Sequence, residues 1–363
     1  MKYLTMQDFY ADGGAIVQVL DRLQSQQAMI VIWETEYYAR LYLTESLNGR
    51  WKVVGQMQAN IGRDGMGKTK EGDCKSPTGI FSLASAFGIV PPSERLRYPY
   101  RMLTEYDYWV DDSQSQLYNQ WVRFKDGYWK DWGSAECLGK EAIAYKYAVI
   151  INYNTERQPG KGSAIFLHVR TGEKNPTQGC TAVSESDMFE ILHWLDFAKK
   201  PVLIQGSLGD VMAVPEEQIM SLYGLPDGFV YVEDIIPDIL VDIRYSTEGA
   251  FPNIAILTQQ AAWALAEAQR MFLEQDYCIK ILDAYRPQKS TAFQSAHHRG
   301  SALDVTLVDL KTGQEADMGE ENRRMLRDFM GSCGFKTEDG EWWHFSLVEE
   351  PYPERYFDFP VER

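Results

Sequence analysis

Two histidines, an arginine and an aspartate crowd the stretch SAHHRGSALD, residues 295–304. His297 and Asp304 stand seven apart with Gly300 and Ser301 between them, so a turn can bring both side chains to one point before the chain runs on as DVTLV. A third donor lies near the carboxyl end in Glu341-Trp342-Trp343-His344, where carboxylate and imidazole are three apart and can project to the same side. Two imidazoles and one carboxylate are the three-ligand set of a catalytic zinc site, with the fourth position left for water. Glu341 is then placed to take that water's proton and return it to a leaving amine, and Arg286, in DAYRP, to meet the oxyanion of a tetrahedral intermediate. Each residue alone also suits a blander role: a solvated turn residue, an aromatic core edge, a surface ion-pair partner. Their co-occurrence in one short part of the chain favours a site. His298, adjacent to His297, is expected to point elsewhere.

A second group occupies FLHVRTGEKNPTQGCTAVSESD, residues 166–187. His168 ends an apolar run, and Cys180 follows twelve residues later, just ahead of a helix start. The thiolate is the reactive form of cysteine, and a nearby imidazolium or helix N-terminus lowers its pKa. Gly179 lets the backbone approach closely, and amides around Cys180 could line an oxyanion hole, so the pattern suits acyl transfer through a thioester. An inert buried thiol beside a satisfied core histidine explains the same spacing. His193 falls on the solvent face of the following helix.

The elements that must hold these residues differ between the two halves. Residues 28–33, 39–44, 51–58, 146–154, 164–169 and 201–206 are β-branched and aromatic and are separated by polar or Gly-rich turns, which predicts a mainly β N-terminal domain over 1–206. One helix is predicted over 184–199, opened by Ser184 with Asp187 and striped by Met188, Ile191, Leu192 and Leu195. Residues 207–228 are broken by Gly and Pro and read as a linker. Over 229–363, helices near 258–275 (Ala261, Leu265, Ala268 and Phe272 on one face) and 320–331 mix with strands without strict alternation, which predicts an α+β domain. The stretch WVRFKDGYWKDW, 121–132, suits either a glycan or peptide surface or an edge strand with exposed rings.

With 363 residues, 45 % apolar, the chain can form two or three packed cores. Its 52 acidic against 36 basic residues give a net charge of −16, which repels phosphate backbones and argues against a nucleic-acid partner. The 5 cysteines (Cys74, Cys137, Cys180, Cys278, Cys333) are widely spaced without a C-x-x-C pair, so neither a disulfide framework nor a cysteine-ligated metal is expected. No apolar run reaches the ~18 residues of a membrane span. The visible N-terminus lacks the apolar core of a signal peptide.

Residues 229–348 resemble the zinc D-alanyl-D-alanine dipeptidases of the vancomycin-resistance type, through FVYVEDIIPDILVDIRYST, DAYRP, SAHHRGSALDVTL, ADMG and EWWHF. The pattern S-x-H-x-x-G-x-A-x-D followed by E-x-x-H is specific to the wider DD-peptidase group. The resemblance implies one zinc ion per chain on His297, Asp304 and His344, Glu341 as general base and Arg286 as transition-state stabiliser. It also implies that Asp317 of ADMG, and Ser295 opening the pattern, contact substrate. Only seven residues separate AYRP from SAHH where the family carries a longer insertion, and the stretches after AFPN and ADMG are also short. Shortening there should open the pocket.

Residues 28–206 resemble the L,D-transpeptidase catalytic domain of the YkuD type, whose H-x-n-[ST]-x-G-C motif is matched by His168, Thr177, Gly179 and Cys180, with Ser76, Pro77, Thr78 and Gly79 upstream. By that resemblance Cys180 attacks the donor peptide, His168 is its base, and Gly179 borders the substrate. Gln178 and Ala182 depart from the family's usual His and Arg or Asn. Together the resemblances imply a bifunctional peptidoglycan-remodelling enzyme, tied to cell-wall biogenesis and cell shape, acting on stem peptides or D-Ala-D-Ala. The alternative is a zinc DD- or LD-carboxypeptidase whose N-terminal domain only hydrolyses or only binds cell wall. Wall chemistry implies the periplasm or envelope, with the export signal outside the visible sequence; dipeptidases acting on precursors make the cytoplasm the other possibility.

Overall fold

The computed structural model describes residues 14–244, 252–290 and 294–363. The chain divides into two compact units, Met1–Val122 with Asp131–Tyr223, and Arg123–Lys130 with Gly224–Arg363. Among the described residues no helix is long and apolar enough to cross a membrane.

The first unit is mostly sheet. Gln27–Thr35, Tyr38–Leu47 and Arg50–Asn60 form an antiparallel meander, flanked on one side by Val202–Gly206 and on the other by Thr181–Val183, Phe166–Val169, Ala148–Ile151 and Gly79–Gly88. Gly79–Gly88 pairs back onto Val202–Gly206, so this nine-stranded sheet closes into a barrel and most of its strands have no open edge. Met29, Val31, Leu41, Leu43, Val149, Leu167, Val183 and Leu203 fill the interior. Phe166–Val169 and Thr181–Val183 run parallel, which requires a crossover between them. That crossover is the loop carrying Thr177, Gly179 and Cys180.

The helix predicted over 184–199 spans Glu185–Trp194. Ser184 caps it by accepting from the Asp187 amide, but Leu195 leaves helical geometry and is fully buried, and Asp196 caps a separate single turn, Phe197–Lys199. The linker expectation is corrected more substantially. Leu208–Met212 and Glu216–Ser221 are short helices whose Val211 and Ile219, with Val214 between them, are buried against Ile30, Ile80 and Ile204. One apolar residue per turn was enough to dock a segment that Gly and Pro made look like a spacer. The boundary therefore falls at Tyr223–Gly224, and Arg123–Lys130 also groups with the second unit. In the aromatic stretch 121–132, Trp121 and Trp132 are buried whereas Trp129 is exposed.

In the second unit a six-stranded sheet contains, in spatial order, Leu240–Val241, Tyr277–Asp283, Ala302–Asp309, Glu341–Leu347 and Phe335–Glu338, with Gln314–Glu315 paired to Ala302–Asp309. Helices Gln259–Glu274 and Glu320–Ser332 accompany it. Ala261, Leu265, Ala268 and Phe272 are all fully buried, as their 3.6-residue spacing requires.

Candidate functional site

The three predicted zinc ligands come from three neighbouring pieces of backbone. His297 sits in the single turn Ala296–Arg299, which Ser295 caps by accepting from the His297 amide at 3.3 Å. The turn ends at Gly300, with φ +73, where an added Cβ would strike the Phe229 ring at 2.3 Å. Only glycine lets the chain reverse there and enter the strand Ala302–Asp309. On that strand Asp304 lies directly opposite His344 of Glu341–Leu347.

These placements bring one donor atom from each residue within 4.8 Å of the others. His297 Nε2 is 3.3 Å from His344 Nδ1 and 3.4 Å from Asp304 Oδ1, and His344 Nδ1 is 2.9 Å from Asp304 Oδ1. A tetrahedral zinc with bonds of ~2.0–2.1 Å has donor-to-donor edges of about 3.3 Å, so the first two distances fit, and the third is a hydrogen-bond contact slightly inside it. His297 Nδ1 is 2.8 Å from the Ala284 carbonyl, which can only accept. The proton is therefore on Nδ1 and the Nε2 lone pair faces the cluster, as zinc ligation needs. His297 and His344 are buried. Burial works to raise the Asp304 carboxyl, but its contacts with the imidazoles of His297 and His344 outweigh it and hold the group well below the usual carboxylate range. Burial works against protonated His344, yet Asp304 raises its pKa overall.

Asp283, the first letter of DAYRP, was missed in the sequence. It is 3 % exposed, pairs in register with Asp304, forms an ion pair with Arg286 and lies 3.9 Å from His297 Nδ1. Burial raises its pKa despite the opposing charges of His297 and Arg286. The available signal was a carboxylate three residues before a candidate catalytic arginine.

Glu341 is exposed and lies outside the three-residue cluster, though close enough for its charge to favour protonated His344. In a regular strand residues three apart face opposite sides. The register with Phe335–Glu338 jumps from Thr337↔Phe345 to Glu338↔Glu341, leaving Trp342, Trp343 and His344 without partners on that strand. Such an irregularity re-aims side chains, and strict alternation does not apply to Glu341 and His344. Asp317 is exposed in the loop before Glu320–Ser332, where its carbonyl accepts from Asn322 Nδ2 at 2.8 Å. His298 is fully buried and accepts from the Ser295 amide.

In the first unit, the parallel pairing sets Leu167 against Thr181, so Cys180 arrives beside Phe166, on the strand that carries His168. Thr177 Oγ1 and Ser76 Oγ both donate to the Cys180 carbonyl, at 2.6 and 3.0 Å, and fix the loop. Cys180 Sγ donates to the Ala164 carbonyl at 3.2 Å and accepts from the Phe166 amide at 3.3 Å. His168 Nδ1 donates to the Val169 carbonyl at 2.8 Å. Among the described residues no hydrogen bond joins His168 to Cys180. Both line an open cavity of about 460 Å³ with Lys68, Glu136, Tyr145 and Arg170.

The electrostatics differ from the thiolate and imidazolium expected from the motif. Burial, then the Glu136 charge, pushes the Cys180 thiol up to about 12, against the Phe166 amide and Lys68. Burial lowers His168 to about 4. Glu136, bonded to the Tyr145 hydroxyl, is itself raised to about 7 by burial. Nor does Cys180 begin a helix: the strand Thr181–Val183 separates it from Glu185.

Comparison with known proteins matches the chain to two families. Residues 34–204 match the L,D-transpeptidase catalytic domain, and residues 320–362 match the D-Ala-D-Ala dipeptidase family. The D-alanyl-D-alanine dipeptidase of Enterococcus faecium is 28 % identical over 199 residues, covering 37 % of this chain and 98 % of that protein. The Enterococcus faecalis enzyme is 28 % identical over 201 residues, 38 % of this chain and all of the relative. Alignments that long in so small a share of this chain mean that the relatives carry segments without counterparts here. Among solved structures, a variant of the helical cell shape determining protein Pgp2 from Campylobacter jejuni has a TM-score of 0.31 at 15 % identity, covering 58 % of this chain and 60 % of that one. Bdellovibrio bacteriovorus Bd1075 has a TM-score of 0.29 at 12 % identity, covering 78 % and 80 %. The sequence matches describe a peptidoglycan-related enzyme with a transpeptidase-like and a dipeptidase-like part.

Proposed function

We propose that the chain is a bifunctional peptidoglycan-remodelling enzyme of the bacterial envelope, with a zinc-dependent D-alanyl-D-alanine dipeptidase in an α+β second unit and a cysteine L,D-transpeptidase in the first. The observation that carries the reading is the meeting of His297, Asp304 and His344 at distances suited to one tetrahedral ion. Zinc bound there would polarise the scissile carbonyl and acidify a water. Glu341 takes a proton from the attacking water and passes it to the leaving amine. Arg286, oriented by its ion pair with Asp283, faces the oxyanion. Asp317 and Ser295 are assigned to the substrate's polar groups, although Ser295 also caps the His297 turn. In the first unit Cys180 attacks the donor peptide carbonyl, His168 accepts the thiol proton, and Gly179 borders the acyl group.

Elemental analysis of the purified protein tests the carrying observation: about one zinc per chain, lost in His297→Ala, is expected, and metal binding unaffected by that change would remove it. A second reading draws on the raised Cys180 thiol, the lowered His168 and the missing hydrogen bond between them. In it the first unit binds wall peptide without turnover. Muropeptide digestion separates the two: Cys180→Ala abolishes one class of product if the first unit is catalytic and changes none if it only binds.

A further inference from the structure

The cavity at Cys180 contains a cation that the motif does not name. Lys68 lies in GMGKTKEGDCK, and its side chain is only 2 % exposed. It runs between two glycines of unusual conformation. At Gly162, with φ +124, an added Cβ would strike Lys68 Cε at 2.4 Å; at Gly179, with φ +150, it would stand 3.5 Å from Lys68 Nζ. Both positions lie in the region that side-chain-bearing residues rarely enter; a Cβ at Gly162 would overlap the lysine stem, whereas at Gly179 it would meet the Lys75 carbonyl and Ile165 first and the ammonium only at ordinary contact distance. The ammonium is thereby held against the residue immediately before Cys180.

Asp73 fixes it there. Its Oδ1 accepts from Lys68 Nζ at 3.0 Å and from the Lys75 amide, while Oδ2 accepts from the amides of Thr69 and Lys70. An ammonium has three donors. Asp73 is the one hydrogen-bond partner of the Lys68 ammonium among the described residues, so two N–H groups remain for the cavity that Lys68 lines with Cys180 and His168. His168 spends Nδ1 on a backbone carbonyl and makes no hydrogen bond to the thiol.

We propose that Lys68 is the positioning cation of the cysteine site, its buried ammonium supplying the positive potential under which Cys180 forms and keeps its thiolate. The proposal rests on the reading of Cys180 as a nucleophile. Lys68 also opposes the effects of burial and Glu136 on the thiol.

The test is alkylation of Cys180 in the full chain, followed residue by residue by mass spectrometry, with neutral iodoacetamide and anionic iodoacetate across a pH series. No peptide substrate is involved, so the result is independent of whether the chain transpeptidates. Lys68→Met should shift the alkylation profile upward by about one pH unit, slowing reaction at pH 8 about tenfold, and should slow iodoacetate more than iodoacetamide. Lys68→Met with Asp73→Asn removes both charges and should behave alike; it decides the matter if the single variant does not fold. A folded variant with the wild-type profile and reagent ratio would overturn the proposal. So would equal slowing by both reagents without a shift in pH, which marks a merely structural lysine.

Discussion

Asp304 and His344 occupy facing positions on paired antiparallel strands, with Oδ1 and Nδ1 2.9 Å apart. Two rigid strands set this contact, and only the third donor, His297, depends on a turn. The site should therefore tolerate loss of metal without loss of the sheet. Chelation is expected to lower the midpoint of thermal unfolding, and returning zinc to restore it, the gain rising with the logarithm of the free zinc concentration. A midpoint indifferent to zinc would mean that the cluster is held by protons alone.

Glu341 separates binding from catalysis. Because it lies outside the three-donor cluster, Glu341→Gln should keep about one zinc per chain while slowing D-Ala-D-Ala hydrolysis by about 10²–10⁴. Loss of metal in this variant, measured by elemental analysis, would instead make Glu341 part of the ligand set.

Asp283 neutralises Arg286 in a buried setting. Removing one partner of such a pair leaves the other charge uncompensated, a cost of about 3–5 kcal/mol. Asp283→Ala and Asp283→Asn both leave Arg286 without its counter-charge and should thus destabilise the second unit in chemical denaturation and reduce kcat, the Asn variant less because its amide oxygen can still accept from the guanidinium. Equal stability of wild type and Asp283→Ala would show the ion pair to be inconsequential.

How far these residues could be read from the sequence depended on locality. His297, Asp304, Glu341 and His344 lie in short stretches whose side-chain chemistry is unusual enough to stand out. The helix Gln259–Glu274 followed from apolar residues recurring every turn. Asp283 did not stand out, because an aspartate ending a strand is ordinary until its neighbours are known. Barrel closure was invisible for a related reason: Gly79–Gly88 meets Val202–Gly206 across more than a hundred residues, and no local pattern encodes that pairing. The motif around Cys180 located the thiol but not its surroundings. Glu136 and Lys68, which push its titration in opposite directions, come from distant segments.

Asp73 makes the first unit acid-sensitive in a defined window. Burial alone would raise its pKa, but backbone amides and Lys68 bring it down to about 2. An unfolded aspartate titrates near ~3.9, so the stabilisation is complete above that value and is lost as pH falls through the folded one. Unfolding followed between roughly pH 5 and pH 2 should show a loss on the order of 1–2 kcal/mol that is absent in Asp73→Asn. The same slope in both proteins would assign the acid sensitivity to other carboxylates.

Glu136 tests the electrostatics of Cys180 from the opposite side to Lys68. Its carboxylate, raised to about 7, is partly ionised near neutrality and disfavours a second negative charge on the thiol. Glu136→Gln keeps an acceptor for the Tyr145 hydroxyl while removing that charge. Thiolate formation becomes easier, so alkylation of Cys180 at pH 8 should speed up several-fold, with the gain shrinking below pH 6 where wild-type Glu136 is already protonated. If the variant instead reacts at the wild-type rate at both pH values, burial and not Glu136 governs the thiol.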